Sequence, residues 1–417
     1  MKTEINQLMH EKNLDAIIIS GSGSQNPPMA YFFSGAFFTR AHLFIIRDED
    51  PVLFYRPMER DTAAQTGLSR IISYDTFPAA EFRAAANGDP VLHDALELRA
   101  LCQSLGLQKG RVAFCGQEEI GIQYAVLQEF QKLMPEIEIA GAEGIAVIRQ
   151  ARYTKDAPEL EKIRRMGEVV TDVVGKVEMF IRSGYLRDNR LFDSQDQPIT
   201  IGRIKKYINL RLCELGTENP EGTIFAIGKD AAVPHNQGDD EQTLEAGKSI
   251  VFDFFPCETG GGYFFDFTRT WSIGYATEAV QKAYDQVKQI HDAVFDAIHV
   301  GQPAKEMQRL TCKLFREMGH PTVEEVPGTQ DGFVHSVGHG LGLNIHERPF
   351  TRDTADNTDI LLPGTVFTIE PGVYYPEIEN PFGIRIEDTV YIDQDGKPQY
   401  FVNYPYQLVI EVETKNK

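Results

Sequence analysis

The stretch Val251-Phe-Asp-Phe-Phe-Pro-Cys-Glu-Thr-Gly-Gly-Gly-Tyr-Phe-Phe-Asp-Phe-Thr-Arg-Thr270 has two strand-like runs on either side of a glycine-rich centre. This pattern predicts a β-hairpin. With a turn centred on Thr259-Gly260, Asp253 and Asp266 become directly opposed, with Cβ atoms about 4.5–5.5 Å apart. Two carboxylates this close on one sheet face repel each other unless a cation lies between them. The hairpin therefore predicts one edge of a metal site.

The same two aspartates would also fit a purely structural hairpin, in which one side chain faces solvent and the other caps a turn. Residues 263–265 are aromatic and directly precede Asp266, which disfavours a fully solvated strand. Cys257 lies in the same hairpin, but a single thiol among carboxylates is more typical of a packed side chain than of a ligand.

Three histidines lie within the glycine-rich segment His335-Ser-Val-Gly-His-Gly-Leu-Gly-Leu-Asn-Ile-His346. The glycines disfavour a regular helix and allow the backbone to approach a site closely. His335 and His339 have the His-x-x-x-His spacing of zincins, but Ser336 occupies the position of the catalytic glutamate, which excludes that class. A lone histidine is usually structural, whereas three histidines beside acidic strands favour a functional site.

Two further acidic residues lie in strands predicted near the C-terminus. Glu370 closes the strand predicted over 365–370, and Glu387 lies within the strand predicted over 384–392. Period-two alternation places Arg385 on the same face as Glu387. Arg385 can therefore orient a ligand carboxylate. An ordinary surface salt bridge is the alternative for this arginine.

The acidic and histidine residues form an ordered set of potential metal ligands: Asp253, Asp266, His339, Glu370 and Glu387. Four carboxylates and one imidazole make a hard, anionic site that suits two divalent cations about 3.5–4 Å apart. The donor set favours Mn²⁺, Co²⁺ or Zn²⁺ over a soft metal, and Mn²⁺ is the first choice.

The composition is that of an ordinary globular protein and excludes several classes of partner. The 417 residues, of which 42% are hydrophobic, fit two domains. A formal net charge of −20 argues against nucleic-acid and anionic-membrane partners, which need clustered Lys and Arg. The five scattered cysteines suggest reduced thiols, and no apolar run is long enough to span a membrane. Cytoplasmic residence is the simplest expectation.

A predicted boundary near residues 149–155 divides the chain into domains of 1–152 and 153–417. In the first part, predicted helices alternate with apolar strands, which is typical of an α/β domain. Asp156-Ala-Pro-Glu159 predicts the start of a long amphipathic helix. Later strands interleaved with helix pairs predict an α+β domain. The polar stretch 183–198 has no clear period and is predicted to be a surface excursion.

Taken together, these motifs resemble the pita-bread (creatinase/aminopeptidase-like) metallopeptidases, and within them the branch of the Xaa-Pro aminopeptidases and prolidases. The matching stretches are residues 263–270, 335–346, 368–373 and 383–388, and the similarity covers most of the chain. The resemblance implies an α/β N-terminal domain of the creatinase type and an α+β C-terminal pita-bread catalytic domain. It also implies a homodimer that cleaves proline-containing peptides.

The resemblance further implies roles for individual residues. It makes the five-residue set the ligands of two cations, with Asp266 and Glu387 bridging them. It implies that His235 and His346 contact the scissile region and stabilise the tetrahedral intermediate. It also implies that His335 forms a wall of the proline-accepting pocket.

The implied reaction is hydrolysis of Xaa-Pro bonds at peptide N-termini or in dipeptides. A metal-bridging hydroxide would attack the peptide carbonyl, and a metal and an imidazole would stabilise the oxyanion. Glu370 is the candidate proton shuttle as well as a ligand, and Arg385 is a further candidate site residue that can hold a ligand carboxylate.

Two features differ from the family pattern. Phe254-Phe255 stands where relatives carry Asp-x-Gly, in a hairpin two residues longer than usual, and Asn236 follows His235 where relatives often have tyrosine. These differences concern the wall of the cleft and the contacts to the N-terminus of the substrate. Two alternatives stay open at this point: a metal-free C–N hydrolase resembling creatinase, and a non-catalytic pita-bread protein that binds peptides or chromatin factors.

Overall fold

The fold is described from a computed structural model that covers residues 4–33 and 35–415. The chain divides into two compact units. One contains the residues up to Arg152 together with Thr259–Gly262, and the other contains Tyr153–Glu258 together with the residues from Tyr263 onward. Within the described residues, no helix is both long and apolar enough to cross a membrane.

The first unit alternates helices and strands along the chain. Its helices are α1 (Glu4–Glu11), α2 (Pro27–Ala30), α3 (Arg60–Gln65), α4 (Ala79–Ala86), α5 (Pro90–Ser104), α6 (Ile120–Leu133) and α7 (Glu143–Ala151). Its strands are β1 (Ala16–Gly21), β2 (Ala41–Ile46), β3 (Val52–Tyr55), β4 (Arg70–Ser73), β5 (Gly110–Gln117) and β6 (Ile137–Ile139). Short 3-10 helices cover Pro57–Glu59 and Tyr74–Thr76.

The strands of the first unit form one mixed sheet in the order β4-β3-β2-β1-β5-β6. The central strand β1 runs antiparallel to β2 and parallel to β5. Ile17 and Ile19 of β1 belong to a core cluster with residues of α1 and α7, whereas Ala16 and Ile18 belong to a cluster with residues of α5 and α6. Helices therefore cover both faces of a buried sheet, as predicted for an α/β domain.

The second unit contains long helices and many short strands. Its helices are α8 (Ala157–Arg182), α9 (Ile201–Glu214), α10 (Glu278–Asp296) and α11 (Lys305–Glu317), with a 3-10 helix at Asp230–Ala232. Its strands are β7 (Tyr185–Arg187), β8 (Arg190–Phe192), β9 (Thr217–Glu218), β10 (Thr223–Ile227), β11 (Ala246–Gly247), β12 (Ser249–Phe254), β13 (Cys257–Glu258), β14 (Phe267–Ala276), β15 (His339–Gly340), β16 (Glu347–Phe350), β17 (Val366–Ile369), β18 (Gly372–Tyr375), β19 (Phe382–Arg385), β20 (Glu387–Ile392), β21 (Pro398–Tyr400), β22 (Val409–Ile410) and β23 (Glu413–Thr414).

The main sheet of the second unit follows the path β10-β12-β14-β20-β17-β15-β16, and β11, β21 and β22 pair beside this path. One face packs on α10 and α11 through a large apolar cluster that includes Val287, Ile290, Phe315 and Phe367. The predicted start of α8 is present as a capping box: the Asp156 side chain accepts from the Glu159 N–H, and the Glu159 side chain accepts from the Asp156 N–H.

The hairpin that joins β12 to β14 has a different register from the predicted one. Asp253 lies opposite Thr268 rather than opposite Asp266. The midpoint of the pairing therefore falls between Gly260 and Gly261, which both adopt left-handed conformations, with φ of 87° and 84°. Because the shift moves the partner by two residues, the period-two rule keeps Asp266 on the face predicted for it.

The strand predicted over 384–392 is interrupted at Ile386. The chain first pairs with β18 as β19 and then joins the main sheet as β20, between β14 and β17. The change of partner explains the break, which the sequence pattern did not reveal. The second strand of the predicted hairpin likewise begins only at Phe267, because residues before it take part in separate small pairings, such as the bridge between Cys257 and Phe264.

The polar stretch 183–198 contains regular structure, although its sequence showed no clear period. Strands β7 and β8 form a hairpin, and β23 adds to it in parallel. The turn residues Asp188 and Asn189 both have positive φ, at 49° and 63°, which is the conformation of a tight two-residue hairpin turn. The buried side chains of Leu186 and Leu191 anchor it.

Candidate metal centre

Five neighbouring strands of the main sheet each supply one candidate ligand. Asp253 lies in β12, Asp266 precedes β14, Glu387 opens β20, Glu370 follows β17 and His339 opens β15. All five line one cavity of about 940 Å³. Strand order in the sheet, rather than order along the chain, brings these side chains together.

Asp266, His339 and Glu387 form the tightest group, since one potential ligand atom from each lies within 4.8 Å of the others. Nε2 of His339 is 3.6 Å from Oδ2 of Asp266 and 3.6 Å from Oε1 of Glu370. Nδ1 of His339 lies 3.1 Å from the carbonyl of Gly340 and donates to it. This tautomer leaves the Nε2 lone pair facing the carboxylates, as a metal ligand requires.

Two neighbouring side chains fix the carboxylates of Glu387 and Asp253. The Thr268 hydroxyl donates to Oε2 of Glu387 at 2.7 Å, and Nη2 of Arg385 donates to Oδ2 of Asp253 at 2.6 Å. The other oxygen of Asp253, Oδ1, is buried without a hydrogen-bond partner among the described residues. A buried carboxylate oxygen of this kind is costly unless a cation satisfies it, so the donor set fits a metal site.

The electrostatics of the cluster point the same way. Burial raises the pKa of Asp266 and of Glu387 well above the usual range, and repulsion from neighbouring carboxylates adds to the shift. Burial raises the pKa of Glu370 to about 8, against the opposing effect of Arg385. Carboxylates gathered in this way bind protons or cations, because they cannot all stay ionised beside one another.

Glu387 and Asp388 are adjacent acids with different environments. The Asp388 carboxylate accepts from Nη2 of Arg269 at 2.9 Å and from the Tyr406 hydroxyl at 2.7 Å. Although burial opposes the shift, Arg269 lowers the pKa of Asp388 to about 2. Asp388 is therefore satisfied by protein groups, whereas Glu387 faces the cavity.

The sequence matches two known protein families. Residues 161–394, more than half of the chain, match the model of metallopeptidase family M24. The chain belongs to metallopeptidase family M24. Residues 3–153 match the creatinase/prolidase N-terminal domain. The predicted family, the predicted fold class and the prediction of a metallopeptidase are thereby confirmed.

Relatives of this M24 metallopeptidase cover most of its length. The Xaa-Pro dipeptidase of Pyrococcus horikoshii is 26% identical over 398 residues, which is 94% of each chain. The probable dipeptidase PepE of Mycobacterium tuberculosis is 28% identical over 345 residues, 78% of this chain and 84% of the relative. The X-Pro aminopeptidase of Thermotoga maritima has a TM-score of 0.74 at 23% identity, covering 97% of this chain and 100% of that one, which shows a shared fold.

Tyr374 is a site residue of the M24 metallopeptidase that the sequence reasoning missed. Its hydroxyl accepts from Nη1 of Arg385 at 2.8 Å and lies 2.9 Å from Nε2 of His335, to which it donates. Nδ1 of His335 donates to the Ser336 carbonyl at 2.8 Å. Burial, and then Arg385, lower the pKa of His335 to about 3, so its imidazole is neutral. Local spacing could not have identified Tyr374, because it comes close to Arg385 only through the pairing of β18 with β19.

The two remaining candidate histidines, His235 and His346, line the cavity and are exposed. The ring centroid of His346 is 4.3 Å from that of His339. Although the His346 side chain is open to the cavity, partial desolvation by the surrounding protein, followed by the nearby His235, lowers its pKa. Both imidazoles are thus beside the acidic cluster without belonging to the tightest group.

Of the residues that differ from the family pattern, only Phe255 lines the cavity among the described residues. Phe254 is fully buried in the sheet, whereas Phe255 lines the cavity and packs against a small cluster that includes Ile224. The Asn236 side chain donates to Oδ1 of Asp230 at 3.1 Å and accepts from the Gly238 N–H at 2.8 Å. Asn236 therefore organises its own loop.

Proposed function

We propose that this M24 metallopeptidase hydrolyses Xaa-Pro peptide bonds, at peptide N-termini or in dipeptides. The observation that carries the proposal is the convergence of the five candidate ligands on one cavity, with Oδ1 of Asp253 buried and unpaired. The substrate class is supported by relatives named Xaa-Pro dipeptidase. A metal-free C–N hydrolase would have no use for such a cluster of mutually repelling carboxylates.

The residues that would hold two divalent cations are Asp253, Asp266, His339, Glu370 and Glu387. Oxygen-rich ligands with one imidazole favour Mn²⁺, with Co²⁺ or Zn²⁺ as the other choices. When bound, the cations supply Lewis-acid polarisation of the peptide carbonyl and of the attacking water.

The protein's own residues would orient the substrate and move protons. Glu370 would take up a proton at a carboxylate oxygen during the reaction and pass it to the leaving amine. His346 and His235 would donate hydrogen bonds to the carbonyl oxygen as it gains charge. His335, neutral and fixed by Tyr374 and Ser336, would form a wall of the proline pocket.

The proposal also includes the organisation of the molecule. We assign residues 1–152 to an N-terminal domain of the creatinase type and residues 153–417 to the catalytic domain. A homodimer is proposed from the family resemblance. Residence in the cytoplasm is proposed from the five free cysteines, which suit a reducing compartment.

The central test is hydrolysis of Xaa-Pro peptides by purified protein with added Mn²⁺. Turnover is expected in the wild type and not in Glu370→Ala. Metal content must be measured for both proteins, so that loss of a catalytic group is separated from loss of metal. Wild-type turnover no higher than that of Glu370→Ala, with the metal bound, would refute the proposal.

A second measurement distinguishes a dipeptidase from an aminopeptidase. Xaa-Pro dipeptides and Xaa-Pro-Yaa tripeptides with the same first residue are compared by kcat/KM. A dipeptidase prefers the two-residue substrate, whose carboxylate lies directly on the proline. An aminopeptidase accepts both lengths or prefers the longer one.

A further inference from the structure

Lys155 carries a buried positive charge that the proposed reaction does not use. Its ammonium lies 2.7 Å from Oε1 of Glu347, and the two side chains are only 1% and 11% exposed. Burying two charges has a desolvation cost that their attraction offsets only in good geometry, and an apolar pair would often be as stable. We therefore infer that this buried pair serves to fix the position of neighbouring groups and not only to stabilise the fold.

The backbone around Lys155 is fixed to the strand that leads to Glu370. The Lys155 N–H donates to the Gly364 carbonyl at 2.7 Å. Thr154 forms an antiparallel β-bridge with Thr365, directly before β17. The side chain of Lys155 therefore extends from a backbone segment that is held in place by hydrogen bonds.

Glu347 directly follows His346 and opens β16, where it pairs with Gly340 of β15. The loop between these strands closes on the ion pair. A β-carbon at Gly342 would collide with the Glu347 carboxylate and would lie 3.0 Å from Cε of Lys155. The loop conformation is thus shaped around the two charged side chains.

His346 directly precedes the anchored Glu347 in sequence and lies beside the candidate ligand His339. Its ring packs edge-to-face on His339, and it lines the cavity, whereas neither Lys155 nor Glu347 does. A shift of the Glu347 backbone would displace the His346 imidazole relative to the peptide carbonyl. Misplacement of a reacting group by about 1 Å can cost about 100-fold in rate.

We propose that Lys155 and Glu347 are positioning residues that hold the loop 341–346, and with it the His346 imidazole, in place for hydrolysis. The pair acts through His346 and does not touch the substrate. The catalytic part of this inference rests on the function proposed above, in which His346 contacts the scissile region.

The kinetic test is a double-mutant cycle with Mn²⁺-loaded enzyme. Lys155→Met is expected to lower kcat by about 10- to 100-fold, with unchanged metal content and a smaller change in KM. In a His346→Ala background the same substitution is expected to cause no further loss, because its effect passes through that imidazole. Equal losses in both backgrounds would overturn the inference.

Arg203→Met is the matched control, since it removes the cation of a partly buried pair with Asp193, at 2.6 Å, elsewhere in the second unit. It is expected to leave kcat unchanged. Glu347→Gln keeps the shape of the glutamate, removes its charge and should repeat the pattern of Lys155→Met. Wild-type kinetics in Glu347→Gln would contradict the inference even if Lys155→Met failed to fold.

Hydrogen exchange of the metal-loaded protein gives a readout that does not depend on activity. Amides of the loop 341–346, including the Gly342 N–H that donates to the Asn344 carbonyl, are expected to exchange faster in Lys155→Met than in the wild type or in Arg203→Met. Unchanged exchange would overturn the inference. If Lys155→Met shows the expected faster exchange but the wild type hydrolyses no Xaa-Pro peptide, only the proposed function is refuted.

Discussion

Arg385 joins a candidate ligand to a wall of the cavity through a single guanidinium. One nitrogen contacts the Asp253 carboxylate and another contacts the Tyr374 hydroxyl, which in turn reaches His335. Burial alone would lower the pKa of Arg385, but Tyr374 and the surrounding carboxylates raise it well above its usual value. The guanidinium of arginine suits this position because it is permanently charged and planar and can donate to both partners at once.

Replacing Arg385 with lysine tests this geometry. Lysine keeps the charge but cannot contact Asp253 and Tyr374 with two fixed donors. We expect Arg385→Lys to lower kcat/KM or metal affinity by about 10- to 100-fold, measured by peptide hydrolysis and by metal titration. Tyr374→Phe, which removes only the hydroxyl, should have a smaller effect. Wild-type values for Arg385→Lys would show that the bidentate contact is unimportant.

At the scale of elements, close packing of strands sets the position of His339. The segment entering β15 approaches β17 so closely that a β-carbon at Gly338 would collide with the Thr368 carbonyl. The His339 N–H lies 3.2 Å from the Thr368 hydroxyl. Glycine at 338 is therefore a packing requirement of the ligand-bearing segment.

Gly338→Ala is expected to destabilise the protein by about 1–3 kcal/mol, because the backbone must shift to accommodate the methyl group. Urea unfolding measures the change. The matched control is Gly175→Ala in α8, where the added carbon would meet only the Tyr404 ring at 3.9 Å. That substitution should stabilise the helix by about 0.5–1 kcal/mol. The reverse order of stabilities would contradict the close packing.

At the scale of the whole molecule, the carboxylate cluster links metal binding to folding. Asp266 and Glu387 are buried and Glu370 is half-buried in the main sheet, and desolvation raises the pKa of each. Without cations the folded protein keeps protons that the unfolded chain has already released. Stability of the metal-free protein must then fall as pH rises.

We expect the metal-free protein to lose stability between about pH 5 and pH 8, the upper end being set by the pKa of about 8 for Glu370. The slope is about 1.4 kcal/mol per pH unit for each carboxyl group that titrates. Urea unfolding with and without chelator at several pH values measures it. Saturating Mn²⁺ should remove the dependence, because cations replace the protons, and Glu370→Gln should reduce it. Stability that rises with pH in the metal-free protein would contradict the raised pKa values.

The sequence by itself determined the local elements and the chemistry of the candidate site. The hairpin strand β12 and the start of α8 were predictable because residue period and turn chemistry act over a few neighbours. The acidic strands and the histidine segment were recognisable as a candidate functional site because clustered carboxylates and imidazoles are typical of metal and catalytic sites. The face of Asp266 was also predictable, since a shift of two residues preserves it.

Only the tertiary structure decided which residues meet. The order β12-β14-β20-β17-β15 gathers the candidate ligands, and the turn at Gly260 and Gly261 sets a register two residues from the predicted one. Tyr374 between His335 and Arg385, and Lys155 beside Glu347, are contacts between segments far apart in sequence. Such pairings depend on non-local strand order and burial, which local periodicity does not encode.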